Sequence, residues 1–286
     1  MDSIWVNVDG EIVENNSAIF GIDNRAFKYG DGLFETFRVI NGKPLFVEQH
    51  LFRLKQGMKA LRMDIPGYFE ALWLNDQINA LLMRAGISKG GRVRLSVFRK
   101  SGGCYVPKTN EISFVIEADG MDVNQFVLNE KGLIIDIFEG QKRTINEFST
   151  IKSVNCLPFV LAGIHQKEKE LGDCILLNEL GNISEAVSSN IFIVYNGVFY
   201  TPSLNQGCID GIMRKNVIAL LNHNGYEVQE CPLGPNALLR ADEVFLTNSV
   251  KGIQWVSAYK MKRYFNKFSR QLTENLNEMV INPAAV

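Results

Sequence analysis

The sequence predicts an α+β fold in which antiparallel strands dominate. Three turn dipeptides, Asp9-Gly10, Asn41-Gly42 and Asn196-Gly197, each separate two apolar runs. Asp-Gly and Asn-Gly favour β-hairpins because the tight turn requires positive φ at its central residues. Apolar stripes with helical spacing lie between the strand-like runs, but strand and helix do not alternate regularly as they do in a doubly wound parallel sheet.

Two hairpins and two helices are predicted in the N-terminal part of the chain. The runs I-W-V-N-V and E-I-V flank Asp9-Gly10, and the runs F-E-T-F-R-V-I and K-P-L-F flank Asn41-Gly42. A helix starting near Val47 is indicated by apolar residues on one helical face: Leu51, Leu54, Met58 and Leu61. A second helix is expected over 68–86, and G-R-V-R-L-S-V-F-R after it has the composition of a strand.

The C-terminal part of the chain again mixes helices and strands. Apolar residues at helical spacing follow Lys152: Leu157, Val160, Leu161 and Ile164. Strands are expected at I-L-L-N-E-L, I-F-I-V-Y and E-V-F-L-T-N, with helices from near Gly211 and over 266–279. The segment A-D-G-M-D-V-N-Q interrupts the pattern, and we therefore divide the chain into domains 1–120 and 121–286.

The composition is that of an ordinary globular protein and argues against several kinds of partner. The 286 residues are 46% hydrophobic, and the net charge of −1 gives no electrostatic field for nucleic acid. No apolar stretch approaches the ~20 residues that span a bilayer, and the first residues lack a signal-peptide pattern. The five cysteines form no C-x-x-C pair, which favours free thiols in a reducing cytoplasm. Nothing in the spacing of the three histidines favours a metal site.

Lys152 and Glu185 are the two residues whose surroundings most favour chemistry. Lys152 lies in T-I-K-S-V-N-C-L-P, just before an apolar helix. Most lone lysines are solvated, but burial here would lower the pKa of the amine and make it a nucleophile. Glu185 lies between two strand-like runs. It could face water at a strand end, or it could be buried and hold a proton on a pyridine nitrogen, which is the chemistry of pyridoxal phosphate (PLP).

Two loops and one arginine are candidate phosphate anchors. In G-C-I-D-G-I-M-R, Gly211 precedes a helix whose first amides, those of Ile212 and Met213, could bind phosphate. The alternative is an ordinary Asp-Gly turn before a helix. The loop L-T-N-S-V-K-G-I offers small polar donors at Thr247, Asn248 and Ser249. Arg53 on the first predicted helix could add a bidentate charged contact.

Three arginines on one predicted strand are candidates for binding a substrate carboxylate. Arg92 and Arg94 share one face of the strand, whereas Arg99 has the opposite parity. The planar guanidinium fork matches a carboxylate, although each arginine could equally be a surface charge. We assign Arg99 to the substrate and keep Arg92 and Arg94 as alternatives.

The order and spacing of several segments resemble the class IV (fold-type IV) PLP-dependent aminotransferase family, from about residue 5 to 256. This family includes branched-chain and D-amino-acid aminotransferases and 4-amino-4-deoxychorismate lyases. The segments that carry the resemblance are D-N-R-A-F-K-Y-G-D-G-L-F-E-T-F-R (23–38), H-L-F-R-L (50–54), I-K-S-V-N-C-L-P (151–158), S-E-A-V-S-S-N-I-F (184–192), Y-T-P (200–202), G-I-M-R (211–214) and A-D-E-V-F-L-T-N-S (241–249).

The resemblance implies a homodimer of two-domain subunits, each with a small N-terminal α/β domain, a larger C-terminal domain and PLP between them. Lys152 looks like the Schiff-base lysine and proton shuttle of the family, and Glu185 looks like the partner of the pyridine nitrogen. The other residues implied to contact the cofactor are Arg53, Ile212, Met213, Asn248 and Ser249. Phe34 falls where the family places an aromatic side chain beside the substrate, and we assign Tyr29 and Arg99 to the substrate as well.

Two reactions stay open. The segment K-S-V-N-C-L resembles the D-amino-acid aminotransferases, and we predict a transaminase that moves an amino group between a branched-chain or D-amino acid and a 2-oxo acid. The segments G-I-M-R and T-N-S resemble the deoxychorismate lyases, and the alternative is release of 4-aminobenzoate and pyruvate in folate synthesis. A non-catalytic PLP-binding protein is disfavoured, because binding alone does not need both Lys152 and Glu185.

Overall fold

The computed structural model describes residues 4–15 and 19–281, which form two compact units. The first unit holds the chain up to Gln125 together with Ile151–Asn155, and the second holds Phe126–Thr150 and the chain from Cys156. The sequence-based division at 120/121 assigns Ile151–Asn155 to the C-terminal domain. The structure differs because the backbone of this short segment pairs with a strand of the first unit.

The first unit is a six-stranded antiparallel sheet with helices packed against it. Its elements are β1 (Trp5–Val8), β2 (Glu11–Glu14), α1 (Arg25–Tyr29), β3 (Gly32–Ile40), β4 (Lys43–Pro44), α2 (Val47–Ala60), α3 (Ala71–Arg84), β5 (Gly90–Arg99) and β6 (Ile112–Met121). The strand order is β2-β1-β6-β5-β3-β4. The predicted stripe of α2 is confirmed in part, since Leu51, Leu54 and Met58 are buried in the core of this unit.

The second unit is built on a nine-stranded mixed sheet. Its elements are β7 (Leu133–Arg143), α4 (Leu157–Glu168), β8 (Asp173–Asn178), β9 (Ile183–Ala186), β10 (Asn190–Tyr195), β11 (Val198–Pro202), α5 (Ile212–His223), β12 (Val228–Cys231), α6 (Asn236–Arg240), β13 (Glu243–Asn248), β14 (Gly252–Tyr259), β15 (Lys262–Arg263) and α7 (Lys267–Ile281). The strand order is β12-β11-β10-β13-β14-β7-β8-β9, and β15 pairs with β14.

All three predicted hairpin turns are confirmed. Val8 lies opposite Glu11, Ile40 opposite Lys43, and Tyr195 opposite Val198, so each turn has two central residues. The non-glycine turn residues Asp9, Asn41 and Asn196 have φ of 50°, 52° and 51°. Asparagine and aspartate tolerate this left-handed conformation, and the glycine that follows each of them adopts it without steric cost.

Helix α4 forms where its apolar spacing predicts a helix, but its apolar stripe is not in the core. The stripe residues are between 48% and 75% exposed: Leu157, Val160, Leu161 and Ile164. Only Ala162 of this helix is buried. The second unit therefore carries an apolar helical face that its own chain does not cover. Across the described ranges, no helix combines the length and apolarity needed to cross a bilayer.

Candidate active site

The backbone of Lys152 is held on the edge of β3. The Phe34 amide donates to the Lys152 carbonyl at 3.0 Å, and the Val154 amide donates to the Gly32 carbonyl at 3.1 Å. These bonds form an antiparallel bridge at the start of β3. On the same edge, β4 pairs with Val39 and Ile40 at the other end of the strand. The backbone of Lys152 is thus fixed beside β3, although its segment comes much later in the chain.

The amine of Lys152 lies over the ring of Phe34. Its Nζ is 4.4 Å from the ring centroid, and Cζ of Arg94 is 3.8 Å from the same centroid. Both distances are within the range of cation–π attraction. Lys152, Phe34 and Arg94 are each only partly buried. Nε of Arg94 also donates to the Ser96 hydroxyl at 3.2 Å and lies 3.8 Å from the Glu117 carboxylate.

A buried carboxylate lies on β3 next to Phe34. Glu35 is 0% exposed and binds two residues of α2. Arg53 donates from Nε to Oε1 at 2.8 Å and from Nη2 to Oε2 at 2.5 Å, while His50 Nδ1 lies 2.6 Å from Oε2. Burial alone would raise the pKa of Glu35, but the charge of Arg53 and the hydrogen bond of His50 outweigh it and hold the pKa at about 2. Arg53, expected to bind phosphate, is thus also an internal ion-pair partner.

The arginine assigned to the substrate is bound to its own chain. Arg99 is 6% exposed and donates to the Asp31 carboxylate at 3.0 Å, to the Asn110 side chain at 2.5 Å and to the Leu61 carbonyl at 2.6 Å. These contacts join separate loops of the first unit, so the described partners of Arg99 favour a structural role. Arg92 forms an ion pair with Asp119 at 3.0 Å.

The contacts of Tyr29 lie within the neighbourhood of α1. Its ring centroid is 5.7 Å from that of Tyr105 and 4.9 Å from Cζ of Arg25. Arg25 itself binds Asp31 and the carbonyl of Cys104. The recorded contacts of Tyr29 therefore order the end of α1 and the 102–105 loop, and they do not include Lys152.

The carboxylate of Glu185 is buried in the second unit, on β9. It is 3% exposed, and the Ile209 amide donates to both of its oxygens at 3.2 Å. Nε of Arg143 is 3.4 Å from Oε1. Nη2 of Arg143 donates to the carbonyls of Ser149 and Gly207, and its Cζ lies 4.7 Å from the centroid of the Phe159 ring. The alternative of a water-facing strand-end carboxylate is wrong, because Glu185 is enclosed and faces a fixed cation.

The start of α5 is shaped by a glycine. Gly211 is the residue before the first turn, and a Cβ there would lie 1.9 Å from Oδ1 of Asn190. Asn190 is fixed on β10 and donates to the Ile209 carbonyl at 2.9 Å. Ile212 and Met213 then begin the helix, where the first amides have no acceptor within the helix itself. This end of α5 can therefore receive an anion.

The residues of the 247–249 loop differ in the roles that their side chains can play. Asn248 donates to the Ser188 carbonyl at 2.5 Å and accepts from the Val250 and Lys251 amides, so its side chain holds the loop together. Thr247 is buried, and within the described residues its hydroxyl has no hydrogen-bond partner. Thr247 lies opposite Asn190 in the sheet. Ser249 is partly buried in the turn that follows.

Three residues that contact the candidate site residues Arg53 and Glu185, directly or through one another, were not predicted from the sequence: Glu35, His50 and Arg143. Glu35 and His50 lie inside segments that carry the family resemblance, and this could have drawn attention to them. Arg143 has no comparable signal, because Q-K-R-T reads as the polar end of a strand. Within residues 4–15 and 19–281, no group of three or more His, Cys, Asp or Glu side chains could hold a metal ion.

Comparison with known proteins establishes the family. Residues 32–259 match the family model described as amino-transferase class IV, and the chain belongs to this family of enzymes. The chain is 30% identical to a putative branched-chain-amino-acid aminotransferase of Methanocaldococcus jannaschii, over 96% of this chain and 94% of the relative. The resemblance inferred from the sequence motifs is confirmed, and so is the α+β fold class.

Other relatives carry different activities in their names. An aminodeoxychorismate lyase of Bacillus subtilis is 29% identical over 86% of this chain and 83% of its own length. A D-alanine aminotransferase of Bacillus licheniformis is 24% identical over 96% of this chain and 95% of its own length. The similarity therefore spans the three activities named by these relatives and does not select a substrate.

Solved structures agree on the fold. A branched-chain aminotransferase from Thermoproteus uzoniensis, solved with norvaline, has a TM-score of 0.89 and 22% identity, covering 99% of this chain and 96% of the other. A T.th. branched-chain aminotransferase, solved with pyridoxamine 5'-phosphate, has a TM-score of 0.88 and 24% identity, covering 98% and 95% of the two chains.

Proposed function

We propose that this class IV enzyme uses PLP to move an amino group between a branched-chain or D-amino acid and a 2-oxo acid. The observation that carries the proposal is the Lys152 amine, which the bridge to β3 holds over Phe34 beside Arg94. A cytoplasmic location is part of the proposal, supported by five cysteines that form no disulfide.

Residues of each unit supply groups of the kind that bind PLP. When bound, PLP forms a Schiff base with an amine and draws electrons away from the bond to be broken. Lys152 would bond the cofactor and move the substrate proton, and Glu185 would keep the ring nitrogen protonated. The Ile212 and Met213 amides, Ser249 and Arg53 would hold the phosphate. The unpartnered hydroxyl of Thr247 is a further donor in this set, whereas Asn248 supports the loop.

The proposed role of Glu185 is supported by the donors around it. The Ile209 amide and the Arg143 guanidinium both face the carboxylate. An ionised carboxylate is what a protonated ring nitrogen needs as a partner. Arg143 would compete with the ring nitrogen for the same carboxylate. This competition would limit how strongly Glu185 stabilises the protonated ring nitrogen.

Arg94 is a better candidate than Arg99 for the substrate carboxylate. Arg94 shares the Phe34 ring with Lys152 and lies 3.8 Å from the Glu117 carboxylate. Arg99 instead donates to four groups of separate loops, the Asp31 and Asn110 side chains and the Leu61 and Arg62 carbonyls. A carboxylate bound at Arg94 would place the adjacent amino group of an amino acid near the Lys152 amine. Arg94, one of the two alternatives kept from the sequence, would then take the place of Arg99.

Replacing Arg94 with glutamine should weaken substrate binding more than turnover. Loss of a charge-assisted pair of hydrogen bonds is expected to raise KM for the amino acid by about 10–100-fold. Steady-state kinetics with each substrate would measure it. Arg92→Gln is the matched control, because Arg92 lies on the same strand face and, like Arg94, has a carboxylate partner on the neighbouring strand, whereas the contact with the Phe34 ring is recorded for Arg94; the KM of Arg92→Gln should change less than about twofold. Equal effects of the two substitutions would contradict the role of Arg94.

The aminodeoxychorismate lyase is the second candidate function, supported by G-I-M-R, by T-N-S and by the lyase relatives. The PLP-loaded protein would be given branched-chain L-amino acids, D-alanine and aminodeoxychorismate in separate reactions. Conversion of the cofactor to the pyridoxamine form reports transamination, and release of 4-aminobenzoate with pyruvate reports the lyase. The transaminase proposal fails if no amino acid converts the cofactor while aminodeoxychorismate releases both products.

We also propose that the enzyme is a homodimer and that the exposed α4 stripe belongs to its interface. Four apolar side chains in a row on one helix face form the kind of surface that a second copy would bury. Members of the family are typically homodimers, which makes a second copy the expected occupant.

Placing two aspartates in this stripe should separate the dimer. The double variant Leu157→Asp/Ile164→Asp would bury unpaired charges in the interface, and the dimer dissociation constant should rise at least about 100-fold. Sedimentation velocity over a concentration series would measure it. Leu180→Asp is the control, because Leu180 is an exposed leucine of the same unit that lies outside α4. An unchanged dimer in the double variant would exclude α4 from the interface.

A further inference from the structure

A buried group, here called the Glu35 cluster, consists of Glu35, His50 and Arg53. Glu35 directly follows Phe34, the residue whose ring lies under the Lys152 amine. Glu35 is on β3, and the other two residues are one helical turn apart on α2. All three are buried. The roles proposed above use Arg53 alone, although its guanidinium is built into this cluster.

Glu35 fixes the orientation of the Arg53 guanidinium. Its carboxylate takes hydrogen bonds from Nε and Nη2, which lie on one edge of the planar fork. A two-point contact of this kind sets both the position and the plane of the guanidinium. An arginine with four rotatable side-chain bonds would otherwise lose conformational entropy when it binds a ligand.

His50 fixes Glu35 in turn. Burial lowers the pKa of His50 despite the hydrogen bond to Glu35, so the neutral ring is favoured. A neutral histidine has one N–H, and an ionised Glu35 requires it on Nδ1, which lies 2.6 Å from Oε2. The other ring nitrogen, Nε2, is buried and has no hydrogen-bond partner among the described residues. The single proton of His50 is thus committed to the carboxylate.

We propose that Glu35 and His50 are positioning residues that orient Arg53 to bind the phosphate of PLP. The inference rests on the proposed function and adds two residues to it. Glu35 neutralises the charge of Arg53, so the geometry of the guanidinium, rather than surplus positive charge, would account for selective binding of the phosphate.

The test compares two ligands that differ only in the phosphate, PLP and pyridoxal. Dissociation constants for both would be measured by equilibrium dialysis with the wild type, Arg53→Gln and Glu35→Gln. We expect Glu35→Gln to weaken PLP binding at least tenfold and pyridoxal binding less than twofold. The same pattern is expected for Arg53→Gln. Glu48→Gln, an exposed change on the same helix, should leave both constants unchanged.

His50 offers a second pair of variants in case Glu35→Gln does not fold. The amide nitrogen of asparagine can take the place of Nδ1 as a donor, whereas leucine cannot donate. His50→Leu should therefore weaken PLP binding severalfold, and His50→Asn should restore it to within about twofold of the wild type. A structural defect alone would not be corrected by asparagine.

Several results would overturn the inference. In Glu35→Gln, the affinities for PLP and pyridoxal could fall by the same factor, or both affinities could stay unchanged. PLP could also bind more tightly, which would mean that Glu35 merely neutralises Arg53. Equal behaviour of His50→Leu and His50→Asn would also overturn it, as would an Arg53→Gln variant that keeps its preference for PLP. Failure of the wild type to bind PLP would instead reject the proposed function.

Discussion

Replacing Lys152 with alanine should abolish turnover of every substrate, with a loss of at least about 10⁴-fold. Both the bond to the cofactor and the transfer of the substrate proton are assigned to the Lys152 amine. The substitution would therefore remove both functions at once. Reduction of the PLP-loaded protein with borohydride, followed by mass spectrometry, should show a covalent adduct in the wild type and none in Lys152→Ala.

Two controls separate loss of the amine from loss of the fold. Lys142→Ala changes an exposed lysine at the end of β7 and should keep full activity. Added methylamine should restore part of the activity of Lys152→Ala, because a small amine can take over the missing proton transfer. Undiminished activity of Lys152→Ala would refute the central assignment.

Glu185→Gln should keep PLP bound but slow turnover by about 10²–10³-fold, the size of effect that follows loss of one well-placed electrostatic contact. Glutamine has the shape of glutamate but no charge to hold a proton on the ring nitrogen. The negative charge that develops when the substrate proton leaves would then be poorly stabilised. Single-turnover absorbance measurements would separate this step from binding, and an unchanged rate would exclude the assigned role.

The stability of the Glu185→Gln protein must be measured alongside its rate. Arg143 lies 3.4 Å from Glu185 and would lose its partner carboxylate, which destabilises a buried pair. Thermal unfolding would show how much of the lost activity comes from a lower folded fraction. Glu179→Gln is the control, because this glutamate accepts one backbone hydrogen bond from Ile145 in the same unit.

Most elements could be predicted from the sequence because their signals are local. The three hairpin turns depend on two residues each, and all three form as expected. The helix starting at Val47 follows from the spacing of its apolar residues. The α4 stripe shows the limit of such arguments, since the spacing predicts a helix correctly but does not tell whether its apolar face meets the core.

Candidate residues could be proposed from the sequence where the residue type suggests the chemistry, but their partners could not. Arg99 fitted a substrate carboxylate by residue type, yet its partners are loops of its own unit. Arg94 became the preferred candidate because it lies against a ring on the neighbouring strand. Such contacts depend on the register between strands, which the sequence pattern of one strand does not contain.

By itself, the sequence determined the family, the α+β class, and Lys152 and Glu185 as the candidate chemical groups. Only the tertiary structure decided that the Lys152 segment pairs with the edge of β3 and that its amine lies over Phe34. It likewise decided that Arg53 is bound by Glu35, which also contacts His50, and that Arg143 faces Glu185. The physical reason is the range of the interactions. Turns and helices form from neighbouring residues, whereas the energy of a buried charge depends on partners that only the folded chain brings close.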